Sequence, residues 1–449
     1  MTHPQSFTLA SLGCPKNRVD SERILAAMTS AGFAHTNDPR QANVVIVNSC
    51  AFIEPAAQES IDTVLDYREE NPDSVIVVAG CLPLRYGEDL KAALTEADLF
   101  IVPEQIDRLP DMLSVVLSKS ERSPANEVGV RAAKPGARIL TTPGYGYLRI
   151  AEGCGRNCRY CTIPSIRGRL HSTDPDRLVR EAEELVSQGL KELILVAQDL
   201  TAYGMDRAEK NALTRLVDQL GGIEGIHWLR LMYLHPDGIP RDLPRLINES
   251  TRVLPYLDIP IQHISAKVLR AMGRPWKGDR IRRLIDRLRN DINGLVLRTT
   301  LMVGYPTEGE KEFQELREFL EAYEIERVGI FTYSPEEGTP AYDLGDPVPQ
   351  EIKLDRADQL AEIHAGLTRR RNRQRIGSTE SCIVEGVAAE TDLLLQGRTW
   401  DQAPEIDGAL YITSGNSVPG EIRRVVITGS HGPDLFGELV ESEGSGLVS

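Results

Sequence analysis

The sequence predicts an α/β chain in three parts: an N-terminal parallel α/β sheet domain, a central six-unit (βα) partial TIM barrel and a C-terminal small all-β barrel. Three observations carry this. Residues 1–117 alternate near-continuous Val/Ile runs with helical stretches. Residues 141–368 repeat a strand–helix unit six times. The tail from 378 shows short strands separated by turn residues. A length of 449 residues fits about three domains. The expected divisions are 1–117, a linker at 118–140, the barrel at 141–376 and the small barrel at 377–449.

In the first part the strands read FTLASLG (7–13), NVVIVNS (43–49), SVIVVAG (74–80) and DLFIV (98–102), with helical periodicity in DSERILAAMTSAGF and AAQESIDTVLDYREE between them. Apolar runs without alternation, separated by helices, describe a parallel sheet covered on both faces. SKSERSPANEVGVRAAKPGARIL (118–140) is polar and carries Pro and Gly, as a linker does. The barrel strands are expected at 147–151, 192–198, 228–234, 256–262, 297–304 and 327–334, with helices such as DPDRLVREAEELVSQG and EGEKEFQELREFLEAYE filling the gaps. A basic run, RRRNRQR (369–375), ends the last helix. Strands are then expected in STESCIVEGVA, GALYIT, EIRRVVITGS and LFGELV.

Hydrophobic residues make up 41%, enough for real cores. No run of 18 apolar residues occurs, so no transmembrane helix and no membrane partner are expected. The start, MTHPQSFTLASLGCPKN, lacks a charged segment followed by an apolar one, which argues against a signal peptide and for a cytoplasmic protein. Seven cysteines, an odd number, argue against a disulfide framework in that setting. The net charge of −15 is not the footprint of a protein that grips nucleic acid through many phosphates.

Three cysteines, Cys154, Cys158 and Cys161, fall in AEGCGRNCRYC directly after the first barrel strand, at the carboxyl end where such barrels do chemistry. Zinc would need a fourth ligand, for which His171 is the nearest candidate. Three thiolates on a 4Fe–4S cluster leave one iron open for a small molecule. Cys14, Cys50 and Cys81 each follow one of the first three strands, so a parallel sheet sets them side by side along one edge, where α/β sheets bind ligands. Each is separately also plausible as a buried cysteine. Cys382 stands alone in a tail strand and reads as a small buried apolar residue.

CxxxCxxC with an aromatic, Tyr160, before the last cysteine resembles the signature of the radical S-adenosylmethionine (SAM) superfamily. GCPKNRVDSE (13–22), NSCAF (48–52), AGCL (79–82), EGCGRNCRYCTIPSIRGR (152–169) and FTYSPEEGT (331–339) resemble its methylthiotransferase family, over essentially the whole chain. The resemblance implies two 4Fe–4S clusters. One, on Cys154, Cys158 and Cys161, has SAM on its open iron. The auxiliary one is on Cys14, Cys50 and Cys81. SAM cleavage gives a 5′-deoxyadenosyl radical that takes hydrogen from an unactivated carbon, sulfur comes from the auxiliary cluster, and a second SAM supplies the methyl. It further implies that the tail is a TRAM domain and that a reductant such as flavodoxin or ferredoxin is needed.

Other site candidates lie at the strand ends. Gln198 and Asp199 end the second barrel strand, and Gln262 and His263 the fourth. LMVGYPTE resembles the superfamily's glycine motif beside the SAM adenine, which implies that Gly304 allows close backbone approach. Gln198, Gln262 and Gly304 are the expected cofactor contacts; no side chain is assigned as catalytic, and His263 is equally readable as a structural histidine.

The family has a MiaB-like branch that modifies tRNA adenosine and a RimO-like branch that modifies an aspartate β-carbon in a small-subunit ribosomal protein. GCPKN resembles the latter. Residues 378–449 carry twelve carboxylates and three arginines, a net of −9. Such a surface repels phosphate and attracts a basic partner, so a basic ribosomal protein docked by the tail is expected and direct tRNA binding is not. A solvated acidic surface without a partner is the plain alternative, and a non-catalytic iron–sulfur carrier or scaffold is the rival from another class.

Overall fold

The computed structural model describes residues 5–119, 136–274 and 278–441. Its contacts divide the chain into two compact units. The first comprises residues 1–141, 152–154 and 162–169; the second comprises 142–151, 155–161 and 170–449.

The first unit is built on a five-stranded, wholly parallel sheet of β1 (Ser6–Ser11), β2 (Ala34–His35), β3 (Val44–Ser49), β4 (Val75–Gly80) and β5 (Leu99–Phe100), in the order β2-β1-β3-β4-β5. Every residue of β3 and β4 is buried. Alternate residues feed two cores: Val44, Ile46, Val75 and Val77 pack on one face, and Val45, Val47, Ile76 and Val78 on the other. Each such side chain contributes about 1.5–3 kcal/mol of burial, which is why these runs show no polar alternation. Helices α1 (Pro15–Ser30), α2 (Glu54–Glu70), α3 (Cys81–Ala93), α4 (Leu109–Lys119) and the short α5 (Ile163–Arg167) complete the unit. Proline in the first turn starts α1, α2 and α5. Of the expected linker, residues 120–135 lie outside the described residues. Its end is fixed: Arg138 pairs with the buried Glu22, whose carboxylate also accepts from Thr141.

The second unit holds a six-stranded parallel sheet. Its strands are β6 (Tyr145–Arg149), β9 (Glu192–Val196), β10 (Trp228–Leu231), β11 (Val253–Asp258), β12 (Val296–Val303) and β13 (Arg327–Thr332), paired in sequence order. Two-residue strands β7 (Ala151–Glu152) and β8 (His171–Ser172) follow β6. Helices α6 (Pro175–Ser187), α7 (Ala212–Gly221), α8 (Leu243–Glu249), α9 (Ala266–Ala271), α10 (Gly278–Asp291) and α11 (Glu310–Tyr323) lie between the strands. A 26-residue helix, α12 (Gln350–Arg375), leads out of this sheet.

The tail closes into a five-stranded barrel, β14-β15-β16-β18-β17, formed by β14 (Thr379–Ala388), β15 (Thr391–Thr399), β16 (Leu410–Ser414), β17 (Ile422–His431) and β18 (Asp434–Leu439). Four of these strands are expected from sequence; β15 is not, because TDLLLQGRT lacks alternation and no Gly or Pro marks the turn before it. Cys382 is fully buried in this barrel's core, as expected, and burial pushes its thiol up to about 12.

The small barrel sits against the amino ends of the six strands. Arg398 pairs with Glu192, which also accepts from Arg230 at 2.7 Å. Asp401 accepts from Arg327 at 2.8 Å, and Asp407 accepts from the Tyr256 hydroxyl at 2.5 Å with Arg298 3.5 Å away. Arg375, at the end of the basic run, is spent on Glu380 and Asp401. The tail's surface is therefore less acidic than its net charge of −9 implies. Glu380, Asp401 and Asp407 are matched by arginines outside the tail, and Glu385 by Arg398 at 2.6 Å. Among the described tail residues, Glu390, Asp392, Glu405, Glu421, Glu438 and Glu441 remain exposed; Glu443 lies outside them.

Candidate functional site

In the first unit, the three cysteines stand at the carboxyl ends of three neighbouring strands. Cys14 follows β1 and caps the N-terminus of α1, Cys50 follows β3, and Cys81 follows β4 as the first residue of α3. Two of them are preceded by glycines with left-handed backbone, Gly13 at φ +89° and Gly80 at φ +93°. A Cβ on Gly13 would lie 2.7 Å from Cys50 Cβ, and one on Gly80 would lie 2.5 Å from Asn48 Oδ1. The strand ends thus converge too closely for any side chain at these positions. Asn17 ties the edge together: its amide donates to the carbonyls of Leu12 and Ser49, both at 2.9 Å. Cys50 is fixed through Ser60, whose hydroxyl accepts from its N–H at 3.0 Å and donates to its carbonyl at 2.8 Å.

Burial pushes the Cys50 thiol up to about 11, and the neighbouring Cys81 and Cys14 add to the rise. Burial also raises Cys81, against the opposing pull of the Arg167 guanidinium. The donor set, three cysteines on one sheet edge beside two helix N-termini and an arginine, suits an anionic iron–sulfur cluster. Among the described residues no three His, Cys, Asp or Glu side chains gather closely enough for a single metal ion. Cys154 belongs to this unit as well, its N–H donating to Gly168 O at 3.2 Å.

Cys158 and Cys161 belong to the second unit, on a loop tied to the carboxyl end of its sheet. Arg156 donates to Asp199, just past β9, at 2.7 Å. Arg159 N–H donates to Met272 O, and its carbonyl accepts from Ala341 N–H, both at 2.9 Å. Tyr160 packs edge-on against Tyr305, which in turn packs against Tyr333. Arg274 is buried; burial alone would lower its pKa, but its interactions with Tyr160 and Cys158 outweigh this and raise it.

The expected cofactor contacts lie on the same sheet. Gln198 is half-buried, two residues past β9. Gln262 takes a left-handed conformation at φ +70°, and its backbone is strapped to β12 through Thr300 O at 2.8 Å and Met302 N–H at 2.7 Å. Such strain in a non-glycine residue is typical of functional strand ends. Gly304 has φ +75°, but a Cβ there would lie 2.3 Å from Lys353 Cγ of α12. Packing against Lys353 therefore already requires the glycine. Asp199 is committed to Arg156 and to capping Thr201. His263 is fully buried: Nδ1 accepts from Ser265 N–H at 2.9 Å, so the ring proton sits on Nε2, 3.2 Å from Glu308. Glu308 also accepts from Gly304 N–H and Arg356. His263 is thus a member of the network that shapes the Gly304 loop.

Sequence reasoning passed over Arg167, Asn17 and Arg274. Arg167 is 86 residues from Cys81, and no spacing links them. For Asn17 and Arg167 the only signal is their place in the motif segments GCPKN and CTIPSIRGR; Arg274 carries none.

Comparison with known proteins agrees with this layout. Residues 6–102 match an uncharacterized protein family, UPF0004; residues 148–320 match the radical SAM superfamily; residues 376–440 match the TRAM domain. The ribosomal protein uS12 methylthiotransferase RimO of Trichlorobacter lovleyi is 43% identical over 97% of this chain and 98% of its own length. The RimO of Aquifex aeolicus is 41% identical over 97% of each. In fold, the chain resembles the radical SAM methyltransferase TsrM of Kitasatospora setae, with a TM-score of 0.55, 14% identity, and coverage of 76% of this chain and 74% of that one. With relatives of this identity along nearly its whole length, the chain belongs to the RimO family of radical SAM methylthiotransferases.

Proposed function

We propose that this enzyme transfers a methylthio group to the β-carbon of an aspartate in ribosomal protein uS12, in the cytoplasm. The observation that carries the reading is the 43% identity to a uS12 methylthiotransferase over 97% of the chain, with both cysteine triads present. Cys154, Cys158 and Cys161 are assigned to the SAM-cleaving 4Fe–4S cluster, and Cys14, Cys50 and Cys81 to the auxiliary one. Gln198, Gln262 and the Gly304 backbone are assigned to SAM. The division at residues 117, 140 and 376 belongs to the same reading.

When bound, the clusters and SAM supply the reducing power, the hydrogen-atom abstraction, and the sulfur and methyl donors. The chain's own residues supply position. Arg156 and Asp199 hold the cysteine loop to β9, so that Cys158 and Cys161 keep a fixed place relative to the strand ends. The strapped backbone at Gln262 and the Glu308 network that holds the Gly304 N–H are rigid, and these residues would hold SAM without rearranging. Tyr305 and Tyr333, both buried, keep water from the side of the loop that Tyr160 covers.

Six exposed carboxylates on the TRAM barrel favour a basic protein partner over tRNA. Among the described residues no helix is long and apolar enough to cross a membrane. A low-potential donor of the flavodoxin or ferredoxin class is the expected reductant. The test is to supply reduced, iron-loaded protein and SAM with uS12 or with tRNA, and to read both by mass spectrometry. A methylthio group on a uS12 aspartate is expected. Modification of tRNA with uS12 untouched would favour the MiaB-like alternative, and no SAM cleavage at all would favour a carrier.

A further inference from the structure

Arg167 is almost fully buried, with 5% of its side chain exposed, and one of its partners is a thiol. Nη2 lies 3.0 Å from Cys81 Sγ and 3.2 Å from Asn17 Oδ1. Nη1 lies 3.3 Å from Glu152 and 3.7 Å from Asp20, whose own side chain is 1% exposed. Asn17, held at its amide end by two carbonyls, presents its oxygen both to this guanidinium and, at 3.8 Å, to Cys81 Sγ. A guanidinium is charged at any working pH and is costly to bury. Two carboxylates already balance it, so charge neutralisation does not require the thiol. What the arrangement adds is direction, because the fork is aimed by Asn17 so that one N–H meets Cys81 Sγ.

Hydrogen bonds to ligating sulfurs are among the features that set an iron–sulfur cluster's potential. A cationic donor stabilises the reduced, more negative cluster more than the oxidised one, and so raises the potential. We propose that Arg167 is a positioning residue of the auxiliary cluster: it fixes the Cys81 thiolate toward the iron and raises that cluster's reduction potential, with Asn17 aligning the donor. This rests on the assignment of Cys14, Cys50 and Cys81 to a cluster. It requires nothing of the SAM-cleaving site.

The test uses the full chain carrying Cys154→Ala, Cys158→Ala and Cys161→Ala, so that only the auxiliary cluster loads. Iron content and an EPR-monitored redox titration are then compared among this parent, Arg167→Met, Arg167→Lys and Asn17→Ala. The expected result is a shift to more negative potential in Arg167→Met and a smaller shift of the same sign in Arg167→Lys and Asn17→Ala, with altered EPR signals. If Arg167→Met loses its iron, the Lys and Asn17 variants carry the comparison, and a negative shift in them supports the proposal. If variants that keep their iron titrate at the parent's potential with the parent's spectrum, Arg167 is only a structural ion pair to Asp20 and Glu152, and the proposal fails. A parent that takes up no iron would overturn the cluster assignment itself, a result distinct from an unshifted potential.

Discussion

Arg398 of β15 forms an ion pair with Glu192, the first residue of β9, and both side chains are almost wholly withdrawn from water. Glu192 also takes Arg230, and Arg398 also takes Glu385, so two cations and two anions close on themselves at the amino end of the six-stranded sheet. Burial alone would raise the Glu192 pKa, but Arg398 and Arg230 outweigh it and hold the carboxyl below its ordinary value. Removing one member leaves a buried charge without a partner, which costs about 3–5 kcal/mol. Glu192→Gln is therefore expected to lower stability by that order, measured by urea unfolding of the metal-free chain. The double variant Glu192→Gln/Arg398→Met should lose less than the sum of the singles, because the two act through one contact.

Asp401 gives a pH dependence. Its burial raises the carboxyl's pKa, but Arg327 and Arg375 overcome this and hold the group well below the usual carboxylate range. A depressed native pKa means that the ionised form is the stabilised one. The contribution is complete above the unfolded value of about 3.9 and is lost as pH falls below it toward the depressed native one. Stability of the metal-free chain should therefore fall between about pH 4 and about pH 2, and Asp401→Asn should be less stable at neutral pH with a flatter acid limb. An Asn variant as stable as the parent at pH 7 would show that the pair contributes nothing.

The cysteine assignments are read by iron counting. The loaded chain should bind about eight irons in two four-iron clusters. Replacing Cys154, Cys158 and Cys161 by Ala should leave about four and abolish SAM cleavage. Replacing Cys14, Cys50 and Cys81 should also leave about four, with SAM cleavage kept and methylthiolation lost. Zinc at either triad would contradict the assignment.

Gly304 is tested through its packing. With φ +75° and Lys353 Cγ 2.3 Å from the position of a Cβ, Gly304→Ala should cost about 1–3 kcal/mol in strain. If SAM also uses the close backbone approach here, SAM affinity should fall as well. A loss of stability with unchanged SAM binding would assign the glycine to Lys353 alone.

Cys14, Cys50 and Cys81 were legible as a group because each follows a strand of the first sheet, and strand ends in a parallel sheet are the one place where residues distant in sequence are neighbours by rule; Cys154, Cys158 and Cys161 were legible from their spacing in one loop. Arg167 was not legible, since its partner is chosen by where the short α5 packs against the first sheet's edge and by no local pattern. Gly304 was legible as a position needing glycine, but its close packing against Lys353, on a helix some fifty residues later, was not. The β15 strand was hidden because Leu393, Leu394 and Leu395 run together and the turn before them, at Ala389 and Glu390, uses neither Gly nor Pro. The tail's charge misled for a different reason. Net charge is a sum over residues, whereas a surface is what remains after pairing, and Arg298, Arg327 and Arg375 lie outside the segment that was summed.

That pairing decides how the docking of a basic partner should be tested. Reversing Glu380, Glu385 or Asp407 would break ion pairs that hold the barrel in place and would confuse docking with unfolding. The informative residues are exposed: Glu390, Asp392, Glu405 and Glu438. Their replacement by Lys should leave iron content and uncoupled SAM cleavage unchanged. Association with uS12 should slow, because rim charges act mainly on the approach of a partner. The salt dependence should flatten too, since the parent's long-range attraction is screened over about 10 Å at 0.1 M salt and about 3 Å at 1 M. Association rates measured across that salt range, for parent and variant, check this directly. If the variant binds and modifies uS12 as fast as the parent at low salt, these carboxylates serve solubility and the partner is held by other contacts.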